Sequence, residues 1–549
     1  MPAVAPNVDL VASNTHGQGI PKSGSSKHHP ADEAVHADES RFPSIYKGAQ
    51  WTADGTTIIA ATYHNQLCSF VVPSDLLEPR EHPLVLRPQK TLSLPETTNV
   101  FAPAPYFALE APETHHVLVA CRDHPIQIFR ALPTTPTPVD DRQPDETSSL
   151  FSYRLISPQT EAYLPVHSLA WPSPYAATSS SFFVGSNNLI AQFNLHRIGD
   201  GPQQVVHTIP SKRHISKGNG VGMRGMVSAL STQNDENYVP TALLAAGTWT
   251  RWVGLYDFAR GGERVATWSV ADAAASVVVQ DPLSGSLQRP ATKGGIGGAG
   301  ITQTAWSPDG RYLLVNERQS TGVLVYDVRV TNKVLGFLAG RGALTHQKLD
   351  LTVYPDSEGL GGFEVWSGTT DGTVKVWQGV GNDEGCVWPS WDFSTVDESD
   401  GEESLPRSPV GSVALHKYGS VVATCTGGWR VTDKNDNNDD GMSSVDSPSP
   451  SSSVPSSDDE SDSSSLSSSS SSLHRSPGRF PNNRTFDKSY LKIWSIRTKS
   501  HNESSPEAMA TPEMDRIQAD VRPDMPYRPV SPTDPCSIDI EPTDQVLVG

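Results

Sequence analysis

The sequence predicts an all-β fold, a seven-bladed WD40-type β-propeller, and three observations carry the prediction. A unit of short strand-like runs recurs seven times between Tyr46 and Trp494. The third run of each unit ends in an aromatic: Phe70, Phe129, Phe193, Tyr256, Tyr326, Trp377 and Trp494. Turn chemistry separates the runs, most clearly at Ser307-Pro308-Asp309-Gly310, where proline fixes φ and glycine accepts a positive φ. Each unit is too small to bury its own faces, so seven of them imply radial packing. Two packed sandwiches are the competing arrangement.

In chain order, residues 1–41 are polar and without period, and are expected to form a disordered arm. The propeller is expected over 42–497. Its first unit reads 48–55, 56–61 and 67–71, with Trp51, Asp54 and Gly55 matching Trp306, Asp309 and Gly310 of the fifth. The second unit reads 106–109, 117–121 and 125–129, and the third 168–174, 182–185 and 189–193. The fourth reads 226–230, 243–247 and 252–257. The fifth, 301–328, is the most regular, and the sixth reads 349–355, 363–368 and 372–377. The seventh begins at 411–416 and 421–425, and its third strand arrives only at 490–495. Loop insertions such as 134–149 and 271–300 stretch the spacing beyond the roughly 40–45 residues of an ordinary WD repeat.

Residues 431–485, rich in Ser and Asp, cannot bury enough apolar surface to offset their ordering entropy, so a disordered insertion in the last blade is expected. Residues 498–549 read as a disordered acidic tail. The outer strand of the seventh blade stays unassigned, because neither 32–41 nor 498–507 has strand character.

The net charge of −19 is concentrated in 1–41, 392–403, 431–485 and 498–549, which leaves the remaining chain near neutral and free to carry a basic patch. Five scattered cysteines without a Cys-x-x-Cys pair imply neither a disulfide framework nor a zinc site, which suits a reducing intracellular compartment. No apolar run approaches the roughly 18 residues of a membrane helix, and the start lacks a signal pattern.

The array resembles the WD-repeat family of the telomerase Cajal-body protein, whose fungal relatives include a splicing-associated nuclear protein. The stretches that carry the resemblance are 46–55, 122–128, 245–256 and 345–351, and it covers roughly 42–430. The interruption of the last blade and the long connection from blade four to blade five depart from the family pattern. The resemblance implies a binding protein rather than an enzyme. It implies a propeller that binds a short loop element of small nuclear RNAs and of telomerase RNA, and helps bring them to nuclear bodies.

Reading a single-stranded RNA loop requires cations for phosphates and flat groups to stack bases. Arg122, Arg251, Arg318, Lys348 and Arg430 lie at or just beyond strand ends. Arg251 stands between Trp249 and Trp252, and Arg430 follows Trp429. Lys212 and Arg213 form a further basic run before Gly218-Asn219-Gly220. The plain alternative is a set of solvated surface cations. The resemblance favours the RNA role for Arg122, Arg251 and Lys348, which fall inside the matching loops.

Other motifs are weaker. Residues 295–300 match a dinucleotide fingerprint in spelling, but they lead into a strand rather than a helix, so a flexible glycine loop is expected. The pairs His28-His29 and His115-His116 lack further ligands at metal spacing. No nucleophile elbow or paired carboxylate emerges, and no cofactor is expected. Ser456 and Ser457 precede acids and Ser447 and Ser449 precede prolines, which makes all four candidates for phosphorylation.

The expectation is a nuclear, non-catalytic RNA-binding propeller without a membrane partner. It would recognise small nuclear or telomerase-type RNA with ribonucleoprotein or spliceosome-associated proteins, supporting ribonucleoprotein assembly, localisation or splicing. A general protein–protein scaffold without RNA is the alternative.

Overall fold

Strict alternation of buried side chains sets the architecture. In the second strand of blade 1 (Thr57–Thr62), Ile58 and Ala60 pack against blade 7 while Ile59 and Ala61 pack against blade 2. In blade 2 (His116–Cys121), Val117 and Val119 face blade 1 while Leu118 and Ala120 face blade 3. A strand covered on both sides has no polar face, which is why these runs read as continuously apolar. The computed structural model describes residues 5–15, 45–133, 148–172, 180–209, 222–277, 279–280, 287–288, 295–396, 408–431, 484–486 and 489–497, apart from 238, 332, 357, 358 and 360.

Seven antiparallel blades result. Their innermost strands are Tyr46–Trp51, Thr98–Pro103, Ser168–Ala170, Val227–Asn234, Ile301–Trp306, Leu351–Pro355 and Val410–Leu415. Seven apolar clusters fill the seven interfaces between neighbours, including that between blades 7 and 1, so the ring is closed. The third-strand aromatics sit in these clusters: Phe70, Phe193, Tyr256, Tyr326 and Trp377 are at most 1 % exposed.

Polar ties join the innermost strands around the central channel. Ser168 donates to the Val227 carbonyl at 2.7 Å, Ser228 to Ile301 at 2.5 Å, and the Gln303 amide to Leu351 at 2.8 Å. Thr352 donates to the Val413 carbonyl, and Ser412 faces the backbone of Ala49. The matched tryptophans of the Trp-x-x-Asp-Gly turns tie in the other direction. Trp51 Nε1 donates to Ala414 at 2.8 Å, and Trp306 Nε1 to Ser231 at 3.2 Å, each on the preceding blade. In the same turn Gly310 adopts φ +69°, as its sequence requires.

Three expectations are corrected. The arm 1–41 was expected to lack strands, yet Asn7–Thr15 is the outer strand of blade 7, antiparallel to Tyr490–Arg497. Ring closure thus comes from upstream of the stretches weighed for it. Val8 and Leu10 pack towards blade 6, and beyond a bulge at Leu10/Ala12 the side chain of Ala12 packs towards blade 1. The second correction concerns blade 2, whose innermost strand is Thr98–Pro103, not 106–109. Residues 106–109 instead form a turn that packs Phe107 into the interface of blades 1 and 2. The insertion expected at 431–485 begins and ends differently as well: Trp429–Val431 pairs with Arg484–Phe486 as a hairpin. The rest of that insertion and the tail 498–549 lie outside the described residues.

Two parallel additions cover outer edges: Leu84–Val85 on the strand Asn7–Thr15, and Gly385–Val387 on Val334–Leu338 of blade 5. Among the described residues no helix is long and apolar enough to cross a membrane. The alternating strand directions put every turn between a second and third strand, and every connection between blades, at one end of the channel. This is called the upper face below.

Candidate nucleic-acid interface

The upper face is shaped by a buried ion pair. Arg251 turns over at φ +65° between the second and third strands of blade 4, which aims its guanidinium across to blade 5. There Nε and Nη2 donate to the two carboxylate oxygens of Glu317 at 2.7 and 2.9 Å, and Nη2 also reaches the Gly297 carbonyl at 3.2 Å. The Glu317 side chain is only 2 % exposed, and burial raises its pKa while the Arg251 bond pulls it back. Gly298, at φ +128°, is required beside this pair, since a Cβ there would come 2.3 Å from the Glu317 carboxylate. The glycine run 295–300 is therefore packed between blades rather than being a free spacer, with Ile296 buried in the interface core.

A second buried cation fixes the connection from blade 5 to blade 6. Arg341 is 1 % exposed and donates to Ser367 Oγ at 3.0 Å, to the Leu349 carbonyl at 2.6 Å and to Asn316 Oδ1. Desolvation brings its pKa down to about 10. Asn316 in turn bonds Leu349 and Gln303. This network sets the position of the segment 345–351, which carries Lys348 and Asp350 to the channel mouth.

At that mouth Lys348 Nζ lies 2.9 Å from Asp350 Oδ1, and the lysine side chain is about half exposed. Lys47 enters from blade 1, donating to the Thr98 carbonyl of blade 2 at 2.5 Å, with its ammonium 5.9 Å from the Tyr63 ring. Burial, reinforced by the neighbouring Lys348 charge and opposed by Asp350, brings the Lys47 pKa down to about 8. All four side chains line a channel of about 480 Å³.

The other predicted cations divide by environment. Arg318 stands on the blade 5 turn with its guanidinium 4.5 Å above the Trp249 ring, its backbone held by Gly300 and Ala299. Its Nε is buried without a hydrogen-bond partner, and desolvation lowers its pKa. Arg122, on the blade 2 turn, is 71 % exposed and 3.6 Å from Asp123. Arg430 lies in the strand Trp429–Val431, on the connection between the second and third strands of blade 7. Lys212, Arg213 and the serines Ser447, Ser449, Ser456 and Ser457 lie outside the described residues.

The lower face carries local ion pairs of the same kind. Arg80, Arg197, Arg260, Arg311 and Arg329 each pair with an aspartate of their own loop, and Lys333 approaches Glu384. The loops there also carry Glu110, Glu113, Asp235 and Glu236. Of the histidines read for metal spacing, His115 stacks on Phe107 and His116 bonds the Tyr106 hydroxyl at 3.1 Å, while His28 and His29 lie outside the described residues.

Sequence reasoning did not single out Lys47 or Tyr63. Lys47 was visible inside the motif 46–55, but its side chain direction depends on strand register. Tyr63 begins a turn that Asn65 closes at φ +58°, and Thr62-Tyr63-His64-Asn65 has turn chemistry.

No protein-family model matches the chain. Telomerase Cajal body protein 1 of Rattus norvegicus is 24% identical over 413 residues, covering 74% of this chain and 64% of the relative. The Homo sapiens protein of the same name is 25% identical over 403 residues, covering 72% and 60%. Guanine nucleotide-binding protein negative regulator 1 of Schizosaccharomyces pombe is 24% identical over 340 residues, covering 61% and 71%. The chain spans less than two thirds of the length of these mammalian relatives. With seven blades in a closed ring, and relatives aligned over most of its length, the chain is similar to the WD-repeat proteins named telomerase Cajal body protein 1.

Proposed function

We propose that this propeller binds a single-stranded loop of small nuclear or telomerase-type RNA on its upper face, as a non-catalytic nuclear component of ribonucleoprotein assembly, localisation or splicing. The observation that carries this reading is the placement of Arg122, Arg251, Arg318 and Lys348. They come from four different blades, and all four belong to upper-face turns or connections. A basic rim around a channel mouth with Trp249 and Tyr63 beside it offers phosphate-binding groups and stacking surfaces together. The relatives' name, a telomerase Cajal body protein, supports the same partner class and a nuclear setting.

Arg251 has a distinct role in this reading. Its guanidinium is engaged by Glu317, so it positions the rim, while Arg122, Arg318 and Lys348 bind phosphate. The test compares RNA affinity across salt concentrations for the full chain and for a variant with Arg122, Arg318 and Lys348 changed to Gln. The triple change should weaken binding and lower the log–log salt slope by about 2, because each phosphate no longer neutralised removes about 0.7. Changing Arg311, Arg329 and Lys333 of the lower face to Gln should leave both unchanged. Equal effects from the two variants would count against the proposal and favour a protein–protein scaffold, the use suggested by the regulator name of the fission-yeast relative.

A further inference from the structure

Two ammonium groups from different blades meet at the channel mouth. Lys47 and Lys348 both line it with Asp350, whose carboxylate lies 2.9 Å from Lys348 Nζ and 4.0 Å from where a side chain on Gly48, the neighbour of Lys47, would begin. One carboxylate cannot neutralise two lysines, and Lys47 has a backbone carbonyl, not an acid, as its close partner. The local excess is positive and half-buried, so an anion placed there would relieve the repulsion rather than compete with existing partners. Beside it the Tyr63 ring is 39 % exposed, and the charges of Arg318 and Asp350 both act on its hydroxyl. An exposed aromatic next to paired cations, over a channel of about 480 Å³ with a mixed polar and apolar lining, matches what one nucleotide needs.

We infer that the channel mouth is a seat for one unpaired nucleotide, its phosphate held between Lys47 and Lys348 and its base stacked on Tyr63. This rests on the RNA-binding reading and narrows it: the rim cations position the strand, and one nucleotide leaves the stack to enter the mouth. A phosphopeptide would use the same two lysines but would leave the Tyr63 face without a planar partner, so the nucleotide is favoured.

Short single-stranded RNA of random sequence, carrying 4-thiouridine, is cross-linked to the full chain, and the linked peptides are identified. The peptide containing Tyr63 should carry the nucleotide. Tyr63→Ala should weaken binding of the same RNA roughly tenfold. Lys47→Gln and Lys348→Gln should each lower the salt slope by about 0.7. Tyr63→Leu keeps the apolar bulk and should bind as weakly as Tyr63→Ala, which separates stacking from folding. Cross-links at the peptides of Arg122 or Arg318, with none at Tyr63 and wild-type affinity in both Tyr63 variants, would overturn the nucleotide seat and leave RNA binding standing. No cross-link anywhere would overturn both. A phosphoserine peptide that displaces the RNA and is itself weakened by Lys47→Gln but not by Tyr63→Ala would overturn the seat in favour of a peptide site.

Discussion

Arg251 and Arg318 look alike in the sequence, each an arginine next to aromatics or at a blade turn, but their guanidinium groups have different partners. Arg251 is held by the nearly inaccessible Glu317, whereas Arg318 rests on Trp249 without a carboxylate partner among the described ion pairs. Removing Arg251 strands a buried carboxylate, so Arg251→Ala should cost about 3 kcal/mol in stability, read by denaturant unfolding. Adding Glu317→Gln to it should restore part of that loss; Arg318→Ala should cost far less stability and act on RNA affinity instead. Lys47 gives a pH signature. Its pKa is depressed to about 8, so in the free protein it loses its proton as pH rises through that value. Bound phosphate favours the charged form. RNA affinity should therefore be complete below pH 8 and fall above it, by at most about tenfold per pH unit for one proton. For stability the sign is opposite. Between pH 8 and the ordinary lysine value of 10.5, the unfolded chain holds a proton that the folded chain has lost, so the Lys47 contribution to stability rises with pH. Lys47→Arg should make the affinity profile flat across this range, and a profile unchanged by that substitution would sink the assignment. Arg122, Arg318 and Lys348 were legible because strand-end position can be read from period. The engagement of Arg251, and the convergence of Lys47 with Tyr63, were not, because both depend on which loops from distant blades meet.

The blade elements were mostly legible because a strand buried on both faces leaves a continuous apolar run, and because the turn after Trp306 demands Pro-Asp-Gly. Two elements were missed for opposite reasons. Residues 106–109 are apolar enough to read as a strand but serve as packing from a turn. Asn7–Thr15 has the alternation Val8, Leu10 and Ala12, but a bulge shifts its register and polar surroundings mask it. This strand joins the start of the chain to its last blade, packing Val8 and Leu10 against one neighbour and Ala12 against the other. Deleting residues 1–15 should remove about 3–5 kcal/mol of apolar burial and lower the melting temperature by several degrees. A peptide spanning those residues, added in trans, should restore part of the loss. An unchanged melting temperature after deletion would contradict closure by this strand.

Across the whole molecule, charge is sorted by face and by segment. The acidity lies largely in segments outside the regular blades, and on the upper rim Arg318 rests on Trp249 without a carboxylate partner among the described ion pairs while Lys47 and Lys348 share Asp350, so cations are presented there despite a net charge of −19. Composition alone argues against nucleic acid; position argues for it. The central claim is that the upper face selects small nuclear RNA, and immunoprecipitation of the full chain with sequencing of the bound RNA, compared with the Arg122→Gln, Arg318→Gln, Lys348→Gln variant, tests it most directly. The expected result is a defined set of small nuclear or telomerase-type RNAs whose recovery falls steeply with salt and collapses in the variant. Recovery of abundant RNA at random, equal in both proteins, would contradict it.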